Sequence, residues 1–238
     1  MIVTEKRREK YKKTNGGSSV LIECCLFDLD GTLLSTLDTI RYHLNNTLKK
    51  FGLQTISTEE CARFIGNGAR LLVKRSVSKS GTCDAALIES VLSDYNSAYN
   101  SDPIPHTEPY PGISDLVDRL YSKGIKLGVV TNKPQPTAIQ LVEHFFKDRF
   151  DIVLGGREGA ILKPDPTDAL MALDVLGSVP SETAFIGDTS VDIETGRNMN
   201  ARLCVGVSWG FREREELVSA GADAVVDNAD ELLSVLGL

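Results

Sequence analysis

The sequence has no apolar run approaching the ~20 residues that a membrane-spanning helix requires, so no membrane partner is expected. It has no CxxC spacing, and its five cysteines (Cys24, Cys25, Cys61, Cys83 and Cys204) are odd in number. A disulfide framework is therefore not expected, and without a second paired cluster neither is a zinc site. Buried thiols acting as small hydrophobes in a reducing compartment are the expectation. A basic excess is missing too. The chain has 26 Lys and Arg against 33 Asp and Glu, a net charge of −7, which disfavours nonspecific nucleic-acid binding unless basic residues cluster locally. The first residues carry Lys6, Arg7, Arg8, Lys10, Lys12 and Lys13 but no apolar core of a secretory signal. Residues 1–19 read as a flexible basic arm ending in Asn15-Gly16-Gly17-Ser18-Ser19, and the chain as cytoplasmic by elimination. No internal repeat or low-complexity tract is present.

What remains is an ordinary globular composition, 42% hydrophobic and 25% charged in 238 residues. That length buries a real core without staples, as one large domain or one domain with an insert. Val20–Asp28 is an apolar run too short for a helix, the pattern of a strand buried on both faces. Ile125–Val130, Phe150–Leu154, Thr183–Ile186, Arg202–Val207 and Ala224–Val226 repeat that grammar. Between them lie helical periodicities: Ile113, Leu116, Val117 and Leu120; Ile139, Val142, Phe145 and Phe146; Leu170, Leu173 and Leu176. Alternating strand and helix specify crossover units, and so an α/β fold with a Rossmann-like parallel sheet and helices on both faces. Ligands in such folds sit beyond the carboxyl ends of the strands.

Residues 36–105 interrupt the alternation. Leu37, Ile40, Leu44, Leu48 and Phe51 recur at three- and four-residue steps before Gly52. Ser57 and Glu60 resemble a capping box. Ala69–Val77 and Ala85–Tyr99 continue helically, the latter with Leu87, Val91, Tyr95 and Tyr99. The expectation is a helical cap inserted after the first strand into a core of residues 20–35 and 106–238, covering the carboxyl edge of the sheet.

Four segments at that edge carry the polar chemistry: Asp28-x-Asp30-Gly31-Thr32, Thr131-Asn132, Lys163-Pro164 and Gly187-Asp188-x-x-x-Asp192. Each aspartate alone is also a common cap or turn former. Together they bring four carboxylates, a hydroxyl and a lysine to one edge. Crowded carboxylates cannot all stay ionised without a cation; Lys163 supplies one charge, and Mg²⁺, which prefers oxygen ligands, is the natural second. The other expected guest is a phosphoryl group, suited by lysine, a threonine hydroxyl and strand-end N–H groups.

The ordered set Asp28-Leu-Asp-Gly-Thr-Leu-Leu, Thr131-Asn132-Lys133-Pro134, Lys163-Pro164-x-Pro166 and Gly187-Asp188-Thr-x-x-Asp192 resembles the four signature motifs of the haloacid dehalogenase-like hydrolases, from about residue 20 to the end. The resemblance implies Asp28 as nucleophile, forming an aspartyl-phosphate, and Asp30 as acid and then base. It implies that Thr131 and the Asn132 backbone hold phosphoryl oxygens while Lys163 neutralises charge. Asp28, the Asp30 carbonyl oxygen and Asp188 would ligate Mg²⁺, with Asp192 ligating or orienting. An acid at position 30 favours phosphate chemistry over halide displacement.

The inserted segment bears on the substrate. Residues 61–80 hold five basic residues and no acid. Gly66-Asn67-Gly68 precedes a helix carrying Arg70 and Lys74, so glycine-flanked backbone at a helix start, reinforced by Arg70, would meet an anionic group on the far end of a small phosphorylated substrate. An ordinary turn with solvated basic residues is the alternative. With Thr131–Pro134 and the Gly206-Val-x-x-Gly210 run, this segment resembles the phosphoglycolate phosphatase branch. A β-phosphoglucomutase-like phosphomutase, and pyrophosphatases, nucleotidases or sugar phosphatases of the same superfamily, remain open. So does oligomeric state, monomer or homodimer.

Overall fold

A computed structural model describes residues 22–238; the basic arm at residues 1–19, with Val20 and Leu21, lies outside the described residues. Strand β1 (Cys24–Phe27) is the centre of a six-stranded parallel sheet. Its four side chains are all fully buried, and they alternate between two cores. Cys25 and Phe27 join one apolar cluster, Cys24 and Leu26 the other. Alternation with both faces covered explains why a four-residue strand reads as a continuous apolar run. The run begins earlier in sequence than the strand; among the described residues the ladders with both neighbours begin at Cys24, opposite Lys126 and Thr183.

Strand β2 (Leu34–Ser35) follows, then helices α1 (Leu37–Lys50), α2 (Thr58–Phe64), α3 (Ala69–Ser78) and α4 (Ala85–Ser101), and strand β3 (Glu108–Pro109). Strands β2 and β3 pair antiparallel, Leu34 with Pro109 and Ser35 with Glu108, tying the chain entering the helical segment to the chain leaving it. Two-residue strands carry no periodicity, so the sequence does not announce this ribbon. Ser57 and Glu60 form the capping box of α2, with Glu60 N–H donating to Ser57 Oγ at 3.2 Å and Ser57 N–H to Glu60 Oε2 at 2.8 Å. The four helices share an apolar cluster of their own. Ile40, Leu44 and Leu48 of α1 meet Val73 and Val77 of α3 and Ile88, Val91, Tyr95 and Tyr99 of α4.

The chain then alternates: α5 (Ile113–Ser122), β4 (Lys126–Pro134), α6 (Gln135–Phe146), β5 (Ile152–Gly156), α7 (Thr167–Leu176), β6 (Thr183–Gly187), α8 (Ser190–Asn198), β7 (Leu203–Val207), α9 (Arg214–Ser219), β8 (Ala224–Val226) and α10 (Ala229–Leu236). The sheet order is β5-β4-β1-β6-β7-β8. Helices α5, α6 and α10 cover one face, with α7 on the other. After β1 the chain first builds outward through β4 and β5, then returns to build β6, β7 and β8 on the opposite side. The reversal lies at the end of β1, where such sheets open a crevice.

Two expectations need correction. Strand β4 does not stop at Val130; it runs on through Thr131–Pro134, with its register against β5 broken between Val130 and Pro134. In α7, Leu170 faces solvent at 42% exposure, and the buried stripe is Ala169, Ala172 and Leu173. The three-residue spacing of the leucines is real, but small alanines let that helix lie close on the sheet.

Leu44 is fully buried at the centre of the helical cluster. Leu44→Ala should cost about 2–5 kcal/mol in denaturant unfolding; a loss below half a kilocalorie would mean that these helices are not packed as described.

Candidate active site

Asp28 follows directly on β1, its N–H donating to Ile186 O of β6 at 2.9 Å. The strand therefore delivers its carboxylate to the crevice. Beside it stands Lys163, in the segment between β5 and α7. Its Nζ lies 2.9 Å from Asp28 Oδ1 and 2.6 Å from Asp192 Oδ1. Asp192 Oδ2 accepts from Thr189 N–H at 3.0 Å and from Thr189 Oγ1 at 2.7 Å, which completes a capping box on α8. Asp188, at the end of β6, is wholly buried, taking Thr32 Oγ1–H at 3.1 Å and Phe211 N–H at 2.8 Å.

Asp28, Asp188 and Asp192 each offer a carboxylate oxygen within 4.8 Å of the others. Burial pushes the Asp188 carboxyl well above the usual range, and repulsion from Asp192 and Asp28 pushes it further. Asp192 is likewise raised by burial, against the pull of Lys163. Burial alone would depress the Lys163 ammonium, but the Asp192 and Asp28 carboxylates outweigh it and hold the group above its ordinary value. One ammonium among three buried carboxylates leaves negative charge uncompensated. Asp28 Oδ1, buried, has no hydrogen-bond partner among the described residues beyond that ion pair. An all-oxygen donor set with an orphaned oxygen fits a hard cation.

The backbone has made room for this cluster. Gly31 has φ +87°, and a Cβ there would fall on the Asp188 carboxylate; a Cβ on Gly210 would meet Asp188 and the Gly31 carbonyl. The Gly210 of the Gly206-Val-x-x-Gly210 run is thus a packing requirement of Asp188.

The other anticipated residues fall in three groups. Thr131 and Asn132 are buried at the end of β4 and line the cavity with Asp28 and Asp30. The Asn132 side chain is committed to bracing: Oδ1 accepts Lys163 N–H at 2.8 Å, and Nδ2 donates to Lys163 O at 3.2 Å and Gly66 O at 3.1 Å. Only its main chain is left for a ligand. Gly66 and Gly68 line the cavity from the helical segment, while Asn67 Oδ1 accepts from Arg75 at 3.3 Å. Arg70 is not in the site. The buried stripe of α3 (Leu72, Val73, Ser76 and Val77) turns Arg70 and Lys74 outward, and Arg70, 68% exposed, pairs with Glu89 at 2.5 Å.

Four participants escape the sequence reading. Lys133 donates to Asp30 Oδ1 at 2.9 Å and Oδ2 at 3.1 Å, and to Tyr99 Oη at 2.5 Å. Burial lowers its ammonium, with Asp30 opposing. Its neighbours Thr131 and Asn132 were the available signal. Tyr95 and Tyr99, spaced like any buried pair of a helix, line the same cavity. Arg212 donates to Ala62 O at 2.6 Å and Ile65 O at 2.8 Å, crossing from the loop after β7 to the end of α2; nothing in its local sequence marks it.

The haloacid dehalogenase-like hydrolase profile matches residues 25–206. The chain belongs to that family. This hydrolase is 32% identical over 187 residues to a phosphoglycolate phosphatase of Aquifex aeolicus, covering 78% of this chain and 84% of the relative. It is 34% identical over 218 residues to that of Rhodospirillum rubrum, covering 89% and 90%. Among solved structures, a phosphoglycolate phosphatase candidate from Lactobacillus delbrueckii subsp. bulgaricus superposes with a TM-score of 0.86 at 30% identity, over 91% of this chain and 99% of the other. CbbY from Rhodobacter sphaeroides, in complex with phosphate, gives 0.78 at 25% identity, over 92% and 100%. The chain is a phosphoric monoester hydrolase of the family. No helix among its described residues is long and apolar enough to cross a membrane.

Asparagine at 188 keeps both hydrogen bonds, accepting from Phe211 N–H and donating to the Thr32 hydroxyl, while removing a buried charge. Asp188→Asn should therefore stabilise the chelator-treated protein by about 1–3 kcal/mol and reduce any gain in Tm from added divalent cation. The folded-state pKa of Asp188 is raised, so the folded protein binds the proton more readily than the unfolded chain. The cost of the charge is absent below the ordinary carboxylate pKa and grows as pH rises above it. The variant's advantage in melting curves should accordingly widen from pH 5 to pH 8; an advantage that shrinks would contradict the crowding described.

Proposed function

We propose that this hydrolase cleaves a small phosphomonoester, phosphoglycolate, by a two-step transfer through Asp28. The observation that carries the reading is the convergence of Asp28, Asp30 and Lys163 with the acidic cluster under a cavity of only about 50 Å³. Drug-sized ligands occupy ~300–1,000 Å³, so a space of this size suits an ester of few atoms. The branch is supported by the phosphoglycolate phosphatases of 32% and 34% identity. In the proposal, residues 36–105 act as the cap of this cavity.

An Asp28 carboxylate oxygen attacks phosphorus, the ester P–O bond breaks, and Asp30 gives its proton to the departing oxygen. Asp30, now a carboxylate, takes a proton from water as that water's oxygen attacks the phosphorus of the acyl phosphate. The P–O bond to Asp28 breaks, releasing inorganic phosphate and restoring the Asp28 carboxylate. Thr131 and the Asn132 main chain hold phosphoryl oxygens. Lys163 keeps Asp28 oriented and offsets the charge that grows at phosphorus. Asp28, the Asp30 carbonyl oxygen, Asp188 and Asp192 would hold or orient Mg²⁺. When bound, that ion supplies the positive charge that lets carboxylates and phosphate share the site. A reducing, cytoplasmic setting belongs to the same reading, supported by five free thiols, of which only Cys83 is exposed.

The test is phosphate release from phosphoglycolate, pyrophosphate, nucleotides, sugar phosphates and glucose 1-phosphate, with Mg²⁺ and with chelator. Phosphoglycolate should lead, chelator should stop turnover, and Asp28→Asn should lower kcat by at least about 10³-fold while the protein stays folded. A glucose 6-phosphate product from glucose 1-phosphate would point to a mutase instead, and full activity in Asp28→Asn would remove the nucleophile.

A further inference from the structure

No cationic residue of the cap lines the cavity among the described residues. Arg70 is on Glu89, Arg75 on the Phe64 carbonyl and Asn67, Lys79 on Glu60 and the Thr55 carbonyl, and Lys74 faces solvent. Among the described residues lining the cavity, the one cationic side chain is Lys133, which the sheet, not the cap, provides. Its side chain is 2% exposed. It reaches the cavity between the Asp30 carboxylate and the Tyr99 hydroxyl, with its Nζ 4.4 Å from the centroid of the Tyr99 ring. Lys163, the other ammonium nearby, is already shared between Asp28 and Asp192.

We propose that Lys133 is the specificity-determining residue: its ammonium receives a second anionic group that the substrate carries next to the ester oxygen. The inference rests on the mechanism proposed above and deepens it. Asp30 there faces the ester oxygen, and Lys133 touches both oxygens of Asp30. In phosphoglycolate the carboxylate carbon lies two single bonds beyond the ester oxygen, about 2.5 Å away, which brings the carboxylate beside the Lys133 ammonium. Ile40, Leu72, Tyr95 and Tyr99 make the surrounding wall apolar or aromatic, and an anion placed against such a wall needs a cation. An ammonium has three donors; one shared between the two Asp30 oxygens and one on Tyr99 leave the third for a substrate oxygen. The cap selects by size and by holding Lys133 through Tyr99; the charge is read by the core.

The experiment compares kcat/KM for phosphoglycolate, pyrophosphate and ethyl phosphate, the last a neutral-tailed ester of the same carbon count as phosphoglycolate. The wild type, Lys133→Met, Lys133→Gln and Lys133→Arg are each assayed with Mg²⁺. Glutamine can still hydrogen-bond Asp30 and Tyr99 without the charge, and so covers the case in which the methionine variant does not fold. Both uncharged variants lower all rates, because Asp30 loses the ammonium beside it. The expected signature is selective: the wild-type preference for an anionic ester over ethyl phosphate falls by about 10- to 100-fold, and arginine retains most of it. An equal loss on all three substrates would overturn the proposal and leave Lys133 as a support for Asp30. So would a wild type that does not prefer an anionic ester. A preference for pyrophosphate over phosphoglycolate, lost with the Lys133 charge, would replace the substrate proposed above and uphold Lys133. Absence of turnover on any ester would contradict both.

Discussion

Three carboxylates and one ammonium, packed at the end of the central strand out of reach of bulk water, impose the constraint from which the rest of the site follows. Burial first, and then repulsion among the carboxylates, raises Asp188 and Asp192, and every nearby element works to make the crowding tolerable. Thr32 and the Phe211 N–H hold Asp188, the Thr189 cap holds Asp192, and Lys163 bridges Asp192 to Asp28. Gly31 and Gly210 are bare where a methyl group would strike Asp188. A site arranged to tolerate so much negative charge is unfavourable alone and favourable once a cation and a phosphoryl group enter. That asymmetry links the stability of the protein to its chemistry.

The helical segment closes over this cluster through hydrogen bonds rather than broad apolar packing. Arg212 reaches the carbonyls of Ala62 and Ile65, Asn132 reaches that of Gly66, and Lys133 reaches the Tyr99 hydroxyl. Meanwhile the four helices have an apolar core of their own, against which Phe211 packs from the loop after β7, and the β2–β3 ribbon ties the two ends of the helical segment together. Two residues at these crossing points, Asn132 and Lys133, are neighbours in β4, where its pairing with β5 is irregular. Consecutive side chains of a strand point to opposite sides, so Asn132 turns to Lys163 and Lys133 to Asp30.

Much of this could be read from the sequence, for physical reasons particular to its elements. A strand buried on both faces must be apolar at every position, so Cys24–Phe27 stands out against its flanks. A parallel sheet gathers strand ends, so Asp28, Thr131, Lys163 and Asp188 are readable as neighbours from the sequence. The α2 capping box was readable because its two partners are three residues apart. What escaped depends on long-range geometry. The direction of Arg70 is decided by which face of α3 meets α2 and α4, not by its spacing from Lys74. Tyr95 and Tyr99 carry the same signal whether they fill a core or line a cavity; here they do both. Arg212 acts across 147 residues of sequence on Ile65, and no local pattern encodes that.

The central claim is that phosphate leaves by way of a covalent bond to Asp28. The most direct measurement is the stereochemical course at phosphorus, with a phosphomonoester made chiral by oxygen isotopes and hydrolysed in isotopically labelled water with Mg²⁺. Two successive in-line displacements, first by Asp28 and then by water, predict net retention of configuration. Net inversion would mean that water attacks the ester directly, and would contradict the account.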